Sequence, residues 1–88
     1  MGQQHETSAD YARVLFVCDR YRVAVCRDDL QWLFQQRVTR ETCAKARWRT
    51  LGYCATRNAL IRFQNRFLGV SLPEFTNLPE TFKKGEWS

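Results

Sequence analysis

Apolar and polar residues alternate along the first half of the chain in short runs that are typical of β-strands. The runs cover residues 13–18, 21–27 and 30–37, and pairs of polar residues separate them. Period-two alternation predicts strands with one buried face and one exposed face. The separators Asp19-Arg20 and Asp28-Asp29 contain Asp, which accepts left-handed backbone conformations in tight turns. An antiparallel meander is therefore the simplest topology for these strands.

The second half of the chain predicts a fourth strand and one amphipathic helix. Residues 47–54 resume the strand-like alternation, whereas residues 38–46 fit either a loop or a helical turn. Thr56 is suited to cap the start of the helix, and Gly69 is suited to end it. Between them, apolar residues recur at helical spacing and form one stripe. Its members are Leu60, Phe63 and Phe67, flanked by Ile61 and Leu68.

The alternation also assigns side chains to the two faces of the predicted sheet. The apolar face, expected to pack on the helix, contains Val14, Phe16, Tyr21, Val23, Val25, Leu30, Trp32 and Phe34. The polar face contains Arg13, Arg22, Ala24, Gln31, Gln35 and Arg37, with Leu15, Val17 and Leu33 among them. We expect the arginines of the fourth strand, Arg47 and Arg49, to lie on the polar face. Alternation then also places Leu51 and Tyr53 on that face. The residues between them face the helix: Trp48, Thr50, Gly52 and Cys54. Gly52 would then let the helix approach closely.

These elements predict a single α+β domain in which three or four antiparallel strands pack on one helix in the C-terminal half. We expect residues 1–10 to be a flexible N-terminus and residues 11–69 to form the domain. Residues 70–88 are expected to pack on the domain as a short tail containing proline. In that tail Leu-Pro-Glu occurs twice, and each copy is followed by a Phe that is expected to contact the core, Phe75 and Phe82.

Positive charge is concentrated in the predicted domain. Residues 11–68 contain twelve Lys and Arg against four Asp and Glu, a net charge of +8, whereas the whole chain has a net charge of +5. Most of these cations are Arg, which makes planar, bidentate contacts with phosphate groups and base edges. A strongly basic surface indicates an anionic partner. A solvated sheet face, however, also needs polar residues, and this simpler explanation carries about equal weight.

The composition argues against several classes of function. The glycines are scattered and form no phosphate-binding loop, and the single histidine, His5, lies outside the predicted domain, where it cannot activate a nucleophile. Successive cysteines are 8, 17 and 11 residues apart, unlike zinc ligands spaced two to four residues apart. We therefore expect a protein that is not an enzyme and that needs no metal and no cofactor.

The chain carries no signal for a membrane or for secretion. No run approaches the ~20 consecutive apolar residues of a transmembrane helix, and the first ten residues are mostly polar, without an apolar run. We therefore expect a cytoplasmic protein without a membrane partner. In that reducing compartment the cysteines are expected to be buried or half-buried thiols.

Parts of the chain resemble a pattern in small uncharacterised bacterial proteins, some of mobile-element or phage type. The matching residues are Tyr21-Arg22-Val23-Ala24-Val25-Cys26-Arg27-Asp28 with Gln31-Trp32, then Trp48, then Tyr53-Cys54-Ala55-Thr56-Arg57 with Ala59-Leu60. The resemblance covers about residues 13–68 and implies no activity; those proteins typically carry Asp-Gly where this chain has Asp28-Asp29. In element order alone, the chain is also similar to the AP2 and integrase-arm DNA-binding domains, which place a three-stranded sheet in the major groove.

Three functions fit these observations. The first is a small module that binds DNA or RNA through the basic sheet face, with contacts from Arg22, Arg37, Arg47, Arg49, Gln31, Gln35 and Tyr53. The second is a phage or mobile-element protein that inhibits a host protein by covering its acidic or nucleic-acid-binding surface, as an anti-CRISPR or other anti-defence protein does. The third is a homo-oligomer, such as a homodimer, that buries Leu15, Val17, Leu33 and Leu51.

Overall fold

The computed structural model describes Thr7 and residues 11–38 and 47–84. Four antiparallel strands form one meander sheet in the order β1-β2-β3-β4, and helical segments follow it, so the predicted α+β class is confirmed. The strands are β1 (Val14–Cys18), β2 (Tyr21–Val25), β3 (Trp32–Val38) and β4 (Arg47–Cys54). The helix α1 (Arg57–Phe63) continues as a π-helical turn (Gln64–Leu68), and the short helix α2 (Pro73–Thr76) follows.

Two predicted features lie outside the described residues. They are the flexible N-terminus at residues 1–10, of which only Thr7 is described, and the segment that fits either a loop or a helical turn, of which residues 39–46 are not described. The backbone carbonyl of Thr7 accepts a hydrogen bond from the Trp48 amide at 3.1 Å, which places this residue beside the outer edge of β4.

The predicted turn and cap residues adopt the conformations that their chemistry favours. Asp19 and Asp29 have φ angles of 56° and 59°, in the left-handed region that Asp tolerates better than most residues. The Thr56 hydroxyl accepts a hydrogen bond from the Ala59 amide at 3.2 Å and caps α1. At the other end, Gly69 has a φ of 71° and closes the π-helical turn through a hydrogen bond to the Gln64 carbonyl. These local signals set the bounds of the elements.

The main core lies between the sheet and the helical segments. Phe34 is at its centre, with its ring centroid 5.1 Å from that of Phe63 and 5.9 Å from that of Phe67, so the predicted helix stripe faces the sheet. Gly52 is essential to this packing because a Cβ atom there would overlap the Phe63 ring. The buried members of this core are Val23, Val25, Trp32, Phe34, Cys54, Leu60, Phe75 and Leu78.

The C-terminal segment contributes directly to the main core. Phe75 and Leu78 are buried in it, and the Phe82 ring packs edge-on against Trp32 at 5.3 Å. The Phe82 amide donates to the Ala55 carbonyl at 2.8 Å, and the Arg57 amide donates to the backbone carbonyl of Glu80 at 2.9 Å. The described part of the tail, residues 70–84, is therefore part of the folded unit.

A second, smaller core covers part of the opposite side of the sheet, which we call the far face. Its buried members are Tyr11, Ala24, Cys26 and Leu33, with Val14 packed against them. The Tyr11 hydroxyl donates to the Val25 carbonyl at 2.7 Å and holds the chain across the sheet.

The expectation that Val14 faces the helix is wrong, because a β-bulge between Val14 and Phe16 reverses the alternation in β1. Leu30, also expected to face the helix, is exposed in the β2–β3 turn.

A second bulge changes the faces of β4. Phe34 pairs with Gly52 but Gln35 pairs with Thr50, so Leu51 is an extra residue in β4. Gly52 and Cys54 face the helix as predicted. Before the bulge the alternation is reversed, which places Trp48 and Thr50 on the far face and Arg47 and Arg49 on the side of α1. The predicted orientation of these four residues is therefore wrong.

Candidate nucleic-acid interface

Arg22 and Gln35, two of the predicted contact residues, are buried on the far face. Only 2% of Arg22 and none of Gln35 is exposed, so the expectation that they lie on a solvated surface is wrong. The Arg22 Nε donates to the Gln35 Oε1 at 2.6 Å, and the Gln35 Nε2 donates to the Thr50 Oγ1 at 3.0 Å. The Arg22 guanidinium also lies 4.4 Å from the centre of the Trp48 ring, in cation–π contact.

The sheet register explains this network. Arg22 pairs with Gln35 and Gln35 pairs with Thr50, so the three side chains form one row across β2, β3 and β4. Burial lowers the pKa of Arg22 from its ordinary value to about 10, an effect that the nearby Tyr11 partly opposes. The guanidinium therefore remains protonated at neutral pH, and its charge is satisfied inside the protein.

Three other predicted contact residues are separated from one another. Arg37 is exposed near the end of β3, whereas Tyr53, with 59% of its surface exposed, pairs with Leu33 near the start of β3. Four residues along a strand correspond to about 13 Å. Gln31 is half-buried in the β2–β3 turn, where its carbonyl accepts from the Cys26 amide at 2.9 Å. These residues form no common patch on the far face.

Arg47 and Arg49, the remaining predicted cations, are exposed together on the helix side of β4. The Arg49 Nη2 donates to the Gln36 Oε1 at 3.0 Å in an exposed hydrogen bond, which directs its guanidinium along the sheet surface. Gln36 pairs in turn with Tyr21 of β2. The row that carries Arg49 thus leads towards the aromatic side chains under α1.

The helix adds two cations to this side of the molecule. Tyr21 lies 5.8 Å from the Phe67 ring, and the Arg66 guanidinium lies 5.6 Å from the same ring. Arg62 is exposed one helical turn before Arg66. We call these four exposed residues the helix-side basic surface: Arg47, Arg49, Arg62 and Arg66.

An open groove of about 260 Å³ lies within this surface along α1. Its lining residues are Ala59, Arg62, Phe63 and Arg66, which repeat at helical spacing. Phe63 is half-buried: the far end of its ring lies against Gly52 of β4, and the ring stacks on those of Phe34 and Phe67, so only part of it lines the groove. The groove thus combines part of an aromatic ring with two arginines.

The described segment that carries the helix-side basic surface contains no acidic residue. Residues 47–73 contain five arginines and neither Asp nor Glu. On the same side of the sheet, Asp19 and Glu74 lie at the β1 edge, where burial and then these two charges raise the pKa of the Cys18 thiol. Cys18 and Arg49 occupy one row three strands apart, a distance of about 14 Å. Asp19 and Glu74 thus lie about three strands away from Arg49.

Three of the four cysteines lie in the described ranges. Cys26 and Cys54 are buried and Cys18 is half-buried, and all three are free. Burial raises the pKa of Cys54 to about 11, which keeps this thiol protonated at neutral pH.

Within the described ranges, no group of three or more His, Cys, Asp or Glu is placed to hold a metal ion. No helix in those ranges has the length and the hydrophobicity to cross a membrane.

Comparison with known proteins adds no family to this description. No protein-family model matches the chain, and no curated protein or solved structure shows significant similarity to it. Arg62 and Arg66 are not among the contact residues predicted from the sequence, because the predicted contact surface is a face of the sheet. Their four-residue spacing and the absence of acidic residues from 47–73 are the sequence signals that identify them.

Proposed function

We propose that this protein binds nucleic acid through the helix-side basic surface, as a module without catalytic activity. The observation that carries the proposal is the exposure of four arginines on one side of the sheet, in a segment without Asp or Glu. Closely spaced cations repel one another unless an anion lies among them, and the phosphate backbone supplies a regular array of anions. Guanidinium groups suit this role because they donate to phosphate in a planar, bidentate geometry.

The alternative of a homo-oligomer loses most of its supporting residues. Leu33 is fully buried, and Leu15 and Leu51 pack against the main core, so these side chains are used within the fold. Val17 remains exposed at 59% of its surface. Of the four side chains expected in such an interface, Val17 alone is exposed, and one apolar side chain is too small a surface to hold two copies together.

Binding to labelled DNA across a range of salt concentrations tests the proposed function. Fluorescence anisotropy with single and double strands of equal length gives the affinity at each concentration. Four phosphate contacts predict that the logarithm of the association constant falls with the logarithm of salt concentration at a slope between about −3 and −4. Absence of binding at about 50 mM salt, or an affinity independent of salt, would contradict the proposal and favour a protein partner.

Single substitutions locate the surface. Arg49→Gln, Arg62→Gln and Arg66→Gln are each expected to reduce the magnitude of the salt slope by about 0.7 to 0.9, because each removes one phosphate contact. Arg27→Gln is the matched control, since Arg27 is exposed in the β2–β3 turn, at the opposite end of β3 from Arg47 and Arg49. An equal loss in the control variant would mean that binding depends on total charge and that the surface is wrongly located.

A further inference from the structure

The groove along α1 has a shape and a chemistry that phosphate binding does not require. Phosphate contacts need only exposed cations, whereas this groove adds the half-buried ring of Phe63 and the small side chain of Ala59. Its volume of about 260 Å³ is close to the lower end of small-molecule sites. A planar group of modest size, bearing or adjoining negative charge, matches this combination.

The backbone next to the groove has an unusual helical conformation. Between Gln64 and Leu68 the helix widens to a π-helical turn, a form that is rare and frequently found at functional sites. The side chain of Gln64 stabilises this turn, because its Oε1 accepts from the Leu72 amide at 2.9 Å and its own amide donates to Asn65 at 3.3 Å. The turn holds Arg66 beside Phe67 at the end of the groove.

We infer that the groove binds one unstacked nucleobase, and that the protein therefore prefers single-stranded nucleic acid to a duplex. This inference rests on the proposed function and deepens it. In a duplex the faces of the bases are stacked on one another, and only their edges are accessible in the grooves. In a single strand a base can turn outwards and lie against the Phe63 ring, while Arg62 and Arg66 contact its edge and the neighbouring phosphates.

The arrangement of charge favours this occupant over an apolar one. Two of the four lining residues are Arg, and Arg49 lies on the same side of the sheet in a segment free of Asp and Glu. An apolar peptide would leave these guanidinium groups without an anion, whereas a nucleotide supplies both a ring and a phosphate. The distribution of charge and the shape of the groove thus agree on one ligand class.

Removing the bases from the ligand tests the inference without changing the protein. The probes are a labelled oligothymidine strand, an abasic strand of the same length and charge, and a duplex of the same length. The wild-type protein is expected to bind oligothymidine about 5- to 10-fold more tightly than the abasic strand, the gain typical of stacking one base on an aromatic ring. It is also expected to bind oligothymidine more tightly than the duplex.

Filling the groove provides the second arm. Ala59→Met retains helix propensity and leaves all charges in place, so it is expected to weaken oligothymidine binding about 5- to 10-fold and to remove most of the preference for oligothymidine over the abasic strand. Asn58→Met, exposed on the same turn but outside the groove, is the matched control and is expected to change neither affinity. Equal wild-type affinity for the oligothymidine and abasic strands, or tighter binding of the duplex, would overturn the inference and leave the proposed function intact. Failure of all three probes to bind at low salt would overturn both.

Discussion

Arg22 is a charged residue that belongs to the core of this protein. Its guanidinium donates to Gln35 and lies over Trp48, and almost none of the residue is exposed. Burying a cation is costly unless hydrogen bonds and an aromatic face replace the lost water. Because Arg22 has both, it acts as a structural residue that joins β2, β3 and β4 on the far face.

Replacing Arg22 tests this structural role. Arg22→Ala is expected to lower the free energy of unfolding by about 2 to 3 kcal/mol, because it leaves a cavity over Trp48 and removes the donor to the buried Gln35 Oε1. Urea denaturation followed by tryptophan fluorescence measures the change. Arg37→Ala is the control, since Arg37 is exposed on the same face, and it is expected to change stability by less than about 0.5 kcal/mol. Similar losses in both variants would show that Arg22 has no special place in the core.

At the scale of elements, two β-bulges decide which residues share a face. The bulge in β1 moves Val14 to the second core, and the bulge at Leu51 moves Arg47 and Arg49 to the helix side. One extra residue in a strand moves every residue before it to the opposite face of the sheet from the one that simple alternation predicts. The bulge in β4 thus permits Gly52 to lie under Phe63 while Arg49 joins the exposed helix-side basic surface.

The close approach of α1 to β4 depends on Gly52. Gly52→Ala is expected to destabilise the fold by about 1 to 3 kcal/mol, because the added methyl group overlaps the Phe63 ring. Chemical denaturation of Gly52→Ala, of Phe63→Leu and of the double variant measures the effect. In the double variant the combined loss is expected to be smaller than the sum of the single losses by more than about 0.5 kcal/mol, since a smaller side chain at position 63 relieves the overlap. Strict additivity would show that no steric conflict exists between the two positions.

The elements themselves are predictable because their signals are local. Alternation along residues 21–25, the turn aspartates Asp19 and Asp29, and the Thr56 cap each act over a few residues. A bulge has no comparable signal, because Leu51 is a residue of ordinary strand character. The register beyond it follows from packing across the whole sheet. The sequence pattern therefore predicts the strands of the meander but assigns the arginines of β4 to the wrong face of the sheet.

At the scale of the whole molecule, the location of charge is harder to predict than its amount. The net charge of +8 over residues 11–68 predicts a basic protein surface. The location of this charge on the fold depends on two features that the sequence pattern does not show. Arg22 is buried in the core, and the bulge in β4 places Arg49 on the helix side of the sheet. The result is a pair of exposed arginines, Arg47 and Arg49, on the helix side of the β4 edge, where positive charge would attract an approaching polyanion.

The whole molecule also depends on its C-terminal segment, because the main core is incomplete without it. Phe75 is fully buried, with its ring centroid 5.2 Å from that of Phe16 in β1 and 6.3 Å from that of Phe34 in β3. Phe75→Ala is therefore expected to lower the free energy of unfolding by about 3 to 5 kcal/mol, enough to unfold much of a domain of this size. Tryptophan fluorescence and far-ultraviolet circular dichroism should report one coincident transition, shifted to lower denaturant concentration.

A neighbouring exposed residue provides the control for this last prediction. Asn77→Ala, at the end of α2, is expected to change the free energy of unfolding by less than about 0.5 kcal/mol. If the tail only rested on a domain that is stable by itself, Phe75→Ala would leave the unfolding transition of the sheet in place. Because the Phe75 ring contacts strands at both the edge and the centre of the sheet, loss of its contacts must instead weaken the sheet and helix together.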